Sequence, residues 1–312
     1  MELLFLGTGS GVPAKHRNVA ATALKMLNER NSIWLFDCGE ATQHQILRTT
    51  LKPRKIKKIF ITHMHGDHIF GLPGFLSSRS FQGGDDPVTI FGPKGIKQYV
   101  LTNLKLSASY PAYPLKFIEF KTDGLIYRDK QIKVYVKRLQ HGIPSYGFRI
   151  IEADTEGALD AGRLKELGVP FGPLFGQLKQ GKTVTLDDGR VLDGKDFIGE
   201  KKKGRVLAFI GDTKPTPATL TLAKDADVMV HEGTFAAAEA DLAKNYNHST
   251  VVQAAQLAKE AGAKKLLLTH ISSRYLGADV QAMVHEAREV FPNTVIVKDF
   301  MEVEVTAEGA ND

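Results

Sequence analysis

The sequence predicts an α/β protein with β-sheet inside and helices outside. Short apolar runs rich in Val, Ile, Leu and Phe recur along the chain, and helical patterns fall between them. Histidines and aspartates stand at the ends of several runs. Expected strands of the first half are 2–6, 32–37, 58–62, 88–91, 116–120 and 133–138. Those of the second half are 148–152, 205–210, 228–231, 265–269, 294–297 and 301–305. Helices are expected over 41–50, 94–105, 249–262 and 279–291, with Ser249 and Asp279 as N-caps and Gly262 as a C-cap.

Segment 153–204 interrupts the alternation. It carries ten of the 29 glycines (157, 162, 168, 172, 176, 181, 189, 194, 199 and 204). Its middle, 168–181, reads as neither helix nor central strand, because proline lacks a backbone donor and glycine weakens both. Long insertions in compact domains are often functional. The expected organisation is therefore one domain over 1–312 with an inserted arm at about 153–204.

Composition narrows the class. The 312 residues hold 41 Lys+Arg against 35 Asp+Glu, a net charge of +6, with 43% hydrophobic and 24% charged residues. That balance is globular and excludes disordered and low-complexity chains. A membrane-spanning helix needs about 20 consecutive apolar residues, and no run approaches it. The first residues lack the basic-then-apolar pattern of a secretory leader. A single cysteine, Cys38, excludes an internal disulfide and fits a reducing cytoplasm. The positive charge permits a polyanionic partner.

The densest chemical signal is Thr62-His63-Met64-His65-Gly66-Asp67-His68, directly after an expected strand. Chance assembly of His-x-His-x-Asp-His in such a chain is roughly one in a thousand. Imidazole and carboxylate are preferred ligands of zinc and similar ions. His63 and His65, two apart on an extended segment, point to one side. Asp67 and His68 follow on the turn and can face a second ion about 3.5–4 Å away. His141, Asp212 and His270 each follow an apolar strand, where α/β sheets build their sites.

This pattern resembles the metallo-β-lactamase superfamily, whose fold is an αββα sandwich with the metal site along one edge. The resemblance implies two zinc ions per subunit, one on His63, His65 and His141, the other on Asp67, His68 and His270, with Asp212 bridging. The superfamily hosts several kinds of hydrolase, so four further segments matter. Pro13-Ala-Lys15-His-Arg17-Asn18 resembles the Pro-x-Lys-x-Arg-Asn loop of the ribonuclease Z family, endonucleases that trim 3′ trailers from precursor tRNA. Segment 37–43 resembles that family's next block, and 168–181 its flexible arm, the exosite that grips tRNA. His248-Ser249-Thr250 resembles its His-Ser-Thr motif.

The likeness runs from Met1 to about Val305. It implies zinc-dependent phosphodiester hydrolysis that leaves a 3′-hydroxyl on the tRNA and a 5′-phosphate on the trailer. Asp67 would accept a proton and His248 would donate one to the leaving oxygen. Lys15, Arg17, Asn18, Gly172, Pro173, Lys179 and Lys182 would contact the RNA. A cytoplasmic homodimer is implied as well, one subunit's arm holding tRNA for the other's site.

Other residues carry less. His231 and Glu232 end a strand and are candidates to orient ligands. Lys52, Arg54, Lys55, Lys57 and Lys58 form a basic run, either a solvated face or an extension of an RNA surface. His16, His44 and His285 read as surface or core residues. A small-molecule phosphodiesterase would not need the arm. A degenerate binding protein would lack ligands, and none of the seven is missing.

Overall fold

Two seven-stranded sheets carry the larger unit of the computed structural model, which describes residues 1–306. In chain order the strands are β1 (Glu2–Gly7), β2 (Ala21–Met26), β3 (Ser32–Phe36), β4 (Ile56–Phe60), β5 (Val88–Pro93), β6 (Leu115–Phe120), β7 (Gly124–Arg128) and β8 (Ile132–Arg138). They continue as β9 (Tyr146–Glu152), β10 (Thr183–Thr185), β11 (Val191–Asp193), β12 (Val206–Phe209), β13 (Val228–Glu232), β14 (Leu266–Thr269), β15 (Thr294–Ile296) and β16 (Glu302–Glu304). One sheet has the order β16-β1-β2-β3-β4-β5-β6 and the other β15-β14-β13-β12-β9-β8-β7. Strands β3 to β6 run parallel, as do β12 to β15, so their carboxyl ends gather along one edge of each sheet.

Strand alternation sorts the side chains into three cores. Trp34, Phe36, Phe60, Phe148 and Phe209 fill the space between the sheets. Ile33, Leu35 and Ile59 face the other way and meet helices Thr42–Leu47, Leu72–Phe81 and Ile96–Leu106. Ala208, Met229, Leu266 and Leu268 meet helices Pro217–Ala223, Val251–Glu260 and Ala278–Val290. The layers are helix, sheet, sheet, helix: the expected αββα sandwich. Phe36 joins the halves, its ring 5.1 Å from Phe60 and 4.6 Å from Phe209. Truncating such a ring to alanine costs about 3–5 kcal/mol.

Several boundaries differ from expectation for physical reasons. Helix Val251–Glu260 is capped by Thr250, whose side chain and Gln253 form a capping box. Ser249 is unavailable as the cap, because its N–H donates to Glu232 and its hydroxyl to the Thr213 carbonyl. Helix Ala278–Val290 follows Gly277, which leaves Asp279 in the first turn. Gly262 takes φ 69° just past the Ala261 cap, close to its expected place. Helix Leu72–Phe81 is masked in the sequence by Pro73 and Gly74, both in its first turn. β2 is masked by Ala-Thr-Ala-Leu-Lys-Met, yet it lies buried between β1 and β3. Lys58 leaves the basic run: its ammonium sits 4.4 Å from the Tyr127 ring centre, and burial, then Arg30, lower its pKa.

One glycine pair seats the histidine turn against β3. A Cβ on Gly71 would stand 1.9 Å from the Gly39 carbonyl oxygen. That approach lets the Gly71 N–H reach the Cys38 carbonyl (3.0 Å) and the Cys38 N–H reach the His68 carbonyl (2.8 Å).

Residues 152–204 form the smaller unit. It contains helices Ala161–Glu166 and Pro173–Lys179, the β10–β11 hairpin, and its own core of Leu164, Val169, Leu178, Val184, Leu186 and Phe197. A helix therefore forms inside 168–181, against expectation. Pro173 occupies the first turn, where its missing N–H is harmless, and Gly172 supplies φ 150° just before it.

Candidate metal centre

The ligand candidates of the larger unit lie at the carboxyl ends of strands. Asp37 follows β3, the histidine turn follows β4, His141 comes after β8, Asp212 after β12 and His270 after β14, while Glu232 closes β13. Among the described residues donor atoms converge in five sets, each within 4.8 Å: His63, His65 and His141; Asp67, His68 and His270; His63, His68 and Asp212; and, taking in His248, His141 with Asp212 and Glu232 with His270. All seven expected ligands thus meet in one cluster. His65 Nδ1 lies 3.1 Å from His63 Nε2 and 3.2 Å from His141 Nε2. His68 Nε2 lies 3.3 Å from His270 Nε2. Asp212 Oδ2 reaches both groups, 3.7 Å from His63, 3.4 Å from His68 and 3.3 Å from His270.

Hydrogen bonds behind the rings decide which nitrogen faces inward. His68 Nδ1 donates to Asp37 Oδ2 (2.8 Å), and His141 Nδ1 donates to the Asn247 carbonyl (2.9 Å). Thr234 gives its hydroxyl proton to Glu232 (2.6 Å), so it accepts from His270 Nδ1 (3.1 Å). Thr62, donating to Asp37 (2.9 Å), likewise accepts from His63 Nδ1 (2.9 Å). With His65 Nδ1, five inner nitrogens are left aimed at one another beside two carboxylates. Lone pairs so placed repel unless positive charge stands among them. Burial opposes a charged His68, yet Asp212, Asp37 and Asp67 hold its pKa well above the usual imidazole value. Burial would likewise raise Asp67, but His68 and the contact with His270 hold it well below the usual carboxylate range. For His63 burial wins, and it is held neutral. Imidazole nitrogens and carboxylates converging on one another in this way fit a zinc-type ion. His270 and Asp37 also adopt left-handed backbone (φ 57° and 56°), strain kept where the ligand set is assembled.

His248 stands beside the cluster. Its Nδ1 donates to Glu232 Oε1 (2.9 Å) and lies 4.0 Å from Asp212. Burial disfavours its charged form, but the charge and hydrogen bond of Glu232, then Asp212 and Asp67, raise its pKa to about 9. Glu232 is itself fixed by the N–H groups of Thr213 (2.7 Å) and Ser249 (3.0 Å). Of the pair at the end of β13, only Glu232 orients the site. His231 turns its Nδ1 to the Glu232 carbonyl (2.7 Å) and buries Nε2 without a partner. Asp37, which holds both Thr62 and His68, was not singled out in the sequence. A carboxylate closing the strand beside the histidine turn is the signal that could have found it.

The loop over Gly7–Asn18 touches the cluster, since the Gly11 N–H donates to Asp67 Oδ2 (2.8 Å). Lys15 is exposed. Arg17 and Asn18 are built into the fold: Arg17 donates to Thr8 (2.7 Å) and to the Val297 carbonyl (2.6 Å), and the Asn18 side chain to the Glu40 carbonyl (2.8 Å). Their first task is to hold the loop. In the smaller unit Gly172, Pro173, Lys179 and Lys182 are all exposed. His16, His44 and His285 are exposed and outside the converging donor sets.

Comparison with known proteins agrees with this geometry. Residues 1–148 match the family described as anti-Pycsar protein Apyc1, and residues 197–271 match a beta-lactamase superfamily domain. Ribonuclease Z of Ligilactobacillus salivarius is 60% identical over 302 residues, 96% of this chain and 95% of that one. Ribonuclease Z of Geobacillus kaustophilus is 58% identical over 300 residues, 96% and 97% of the two chains. The crystal structure of human tRNase Z, short form, superposes with a TM-score of 0.72 at 28% identity, over 98% of this chain and all (100%) of that one. The chain belongs to the ribonuclease Z family of metal-dependent endoribonucleases.

Proposed function

We propose that the protein removes 3′ trailers from precursor tRNA, using two zinc ions per subunit. The observation that carries this reading is the pair of converging donor sets joined by Asp212, with a cationic His248 beside them. The near-full-length likeness to ribonuclease Z chains supports the substrate. His63, His65 and His141 would hold one ion, Asp67, His68 and His270 the other, and Asp212 would serve both. Bound there, such ions lower the pKa of water and offset phosphate charge.

The chain's own groups account for the proton movements. Asp67 accepts the proton of the attacking water, and the Gly11 N–H fixes its orientation. The water oxygen bonds to phosphorus as the P–O3′ bond breaks. His248, kept protonated by Glu232, gives its proton to the departing O3′. The tRNA leaves with a 3′-hydroxyl and the trailer with a 5′-phosphate.

Lys15 and the exposed Lys179 and Lys182 supply cationic contacts to the RNA, with Gly172 and Pro173 presenting the arm's backbone. The reading includes a homodimer at work in the cytoplasm, in keeping with the family resemblance. No helix of the described residues is long and apolar enough to cross a membrane.

The test is incubation of metal-replete protein with a 3′-extended precursor tRNA and with a small aryl phosphodiester. A single cut just past the discriminator base, absent in Asp67→Ala, is the expected product. Hydrolysis of the small ester alone would retain the metal site and remove the tRNA assignment.

A further inference from the structure

On the far side of the Gly7–Asn18 loop lies a cavity of about 810 Å³, within the range of ligand sites. Its lining brings together segments 14–18, 273–281 and 298–300, with Gln45 and Arg48. Lys15, Arg48 and Lys298 bring positive charge to it, along with His16, while Arg17 in the same wall is held by Thr8, the Val297 carbonyl and the charge of Asp299. The one carboxylate among the described residues of its wall, Asp299, is already engaged. It accepts from the Thr8 hydroxyl (2.7 Å), the Asn18 N–H (2.7 Å) and the Gln45 amide (2.9 Å). The cavity is therefore an anion-seeking one.

It also has a flat wall. The Arg48 guanidinium lies 4.4 Å over the Phe300 ring. Phe300 is held in left-handed backbone, φ 65°, by its N–H on the Phe5 carbonyl (2.7 Å) and the Phe5 N–H on the Met301 carbonyl (3.0 Å). A bulky residue rarely takes that conformation, and here it presents the ring to the cavity. Tyr275 and Leu276, the latter 58% exposed, add apolar surface. Position relates the cavity to the chemistry. Tyr275 lies five residues beyond His270, and the loop that carries Lys15 also holds Asp67 through Gly11.

We propose that this pocket takes one unpaired nucleotide of the RNA strand beside the bond being cut. Its base stacks on the Arg48–Phe300 pair and its phosphate faces Lys15 and Lys298. Guanidinium and aromatic planes are the usual platforms for unpaired bases, whatever their identity. The inference rests on the RNA-processing reading and adds a specific contact to it.

The test compares Arg48→Ala, Phe300→Leu and Phe300→Tyr with the unaltered protein, on precursor tRNA and on a small aryl phosphodiester. Arg48→Ala and Phe300→Leu should each raise KM for the precursor about 10-fold with little change in kcat. Phe300→Tyr should restore it, and the small ester should be indifferent to all three. Abasic units placed singly on either side of the cut identify the occupant. One position should reproduce the loss in the unaltered protein and add nothing in Phe300→Leu, and its side tells trailer from tRNA end. Unchanged precursor KM in both variants would remove the pocket while leaving tRNA processing intact. Equal losses on the small ester would make the wall structural and also overturn the inference. An unaltered protein that spares the precursor would bring down the underlying reading and the pocket with it.

Discussion

The metal-centre edge and the 152–204 unit solve opposite problems. The first fixes its donor atoms to strand ends, buries most of them, and ties the rings of His63, His68, His141 and His270 from behind with a second hydrogen bond. The second has a core of six buried residues and leaves its lysines and its 172–173 turn exposed. Chemistry on a phosphodiester needs atoms placed to a fraction of an ångström, whereas gripping a large polyanion needs charge and shape spread over a surface. Fixed geometry is concentrated at the candidate metal centre.

The sharpest way to break this contrast is at Asp212. Asp212→Ala should lose activity on the order of 10³-fold or more on tRNA and on the small ester alike, with metal content falling in elemental analysis. Full metal occupancy in that variant would show that the two donor sets hold ions without their shared carboxylate. Next comes His248→Ala, expected to lower kcat about 10²- to 10⁴-fold while metal content stays intact. Glu232→Gln should lower kcat less, about 10- to 100-fold, and move the alkaline limb of the rate profile to lower pH. The sign follows from the raised pKa: the donor is charged below it and is lost as pH rises through it, and removing the carboxylate brings that point down. An unmoved limb would separate Glu232 from the proton donor.

The smaller unit should respond on one substrate only. Ile151 and Val206 are register partners on adjacent antiparallel strands, so a short turn can replace the segment between them. Its removal should raise KM for precursor tRNA by about 10-fold or more and spare the small ester, as expected for losing a remote contact that binds substrate and transition state alike. Loss on both substrates would show that the two regions are not independent. The smallest effect concerns Cys38, which is fully buried with its thiol pushed up by burial to about 12. Thiol reagent should leave the native protein unlabelled and active at neutral pH, and should react only once denaturant is added.

The two regions also differed in how far the sequence revealed them. Candidate metal ligands come from a few residue types, so the convergence of His63, His65, Asp67, His68, His141, Asp212 and His270 was legible in the sequence. Of the orienting groups, only Glu232 was. Thr62, Thr234 and the Asn247 carbonyl act through a hydroxyl or backbone atom that any sequence offers, and only their place behind a ring gives them a role. Asp37 and Glu232 were visible as strand-end carboxylates, but their partners come from other strands. Helices opening on proline, Leu72–Phe81 and Pro173–Lys179, were hidden because a residue that breaks a helix inside it is welcome at its first turn.

Glu232 has a consequence beyond orienting one ring. One of its oxygens holds His248; the other holds Thr234, and Thr234 holds His270. The proposed proton donor and a candidate metal ligand hang from the two oxygens of one carboxylate. A displacement of Glu232 would therefore act on the proposed acid and on the candidate metal cradle at once.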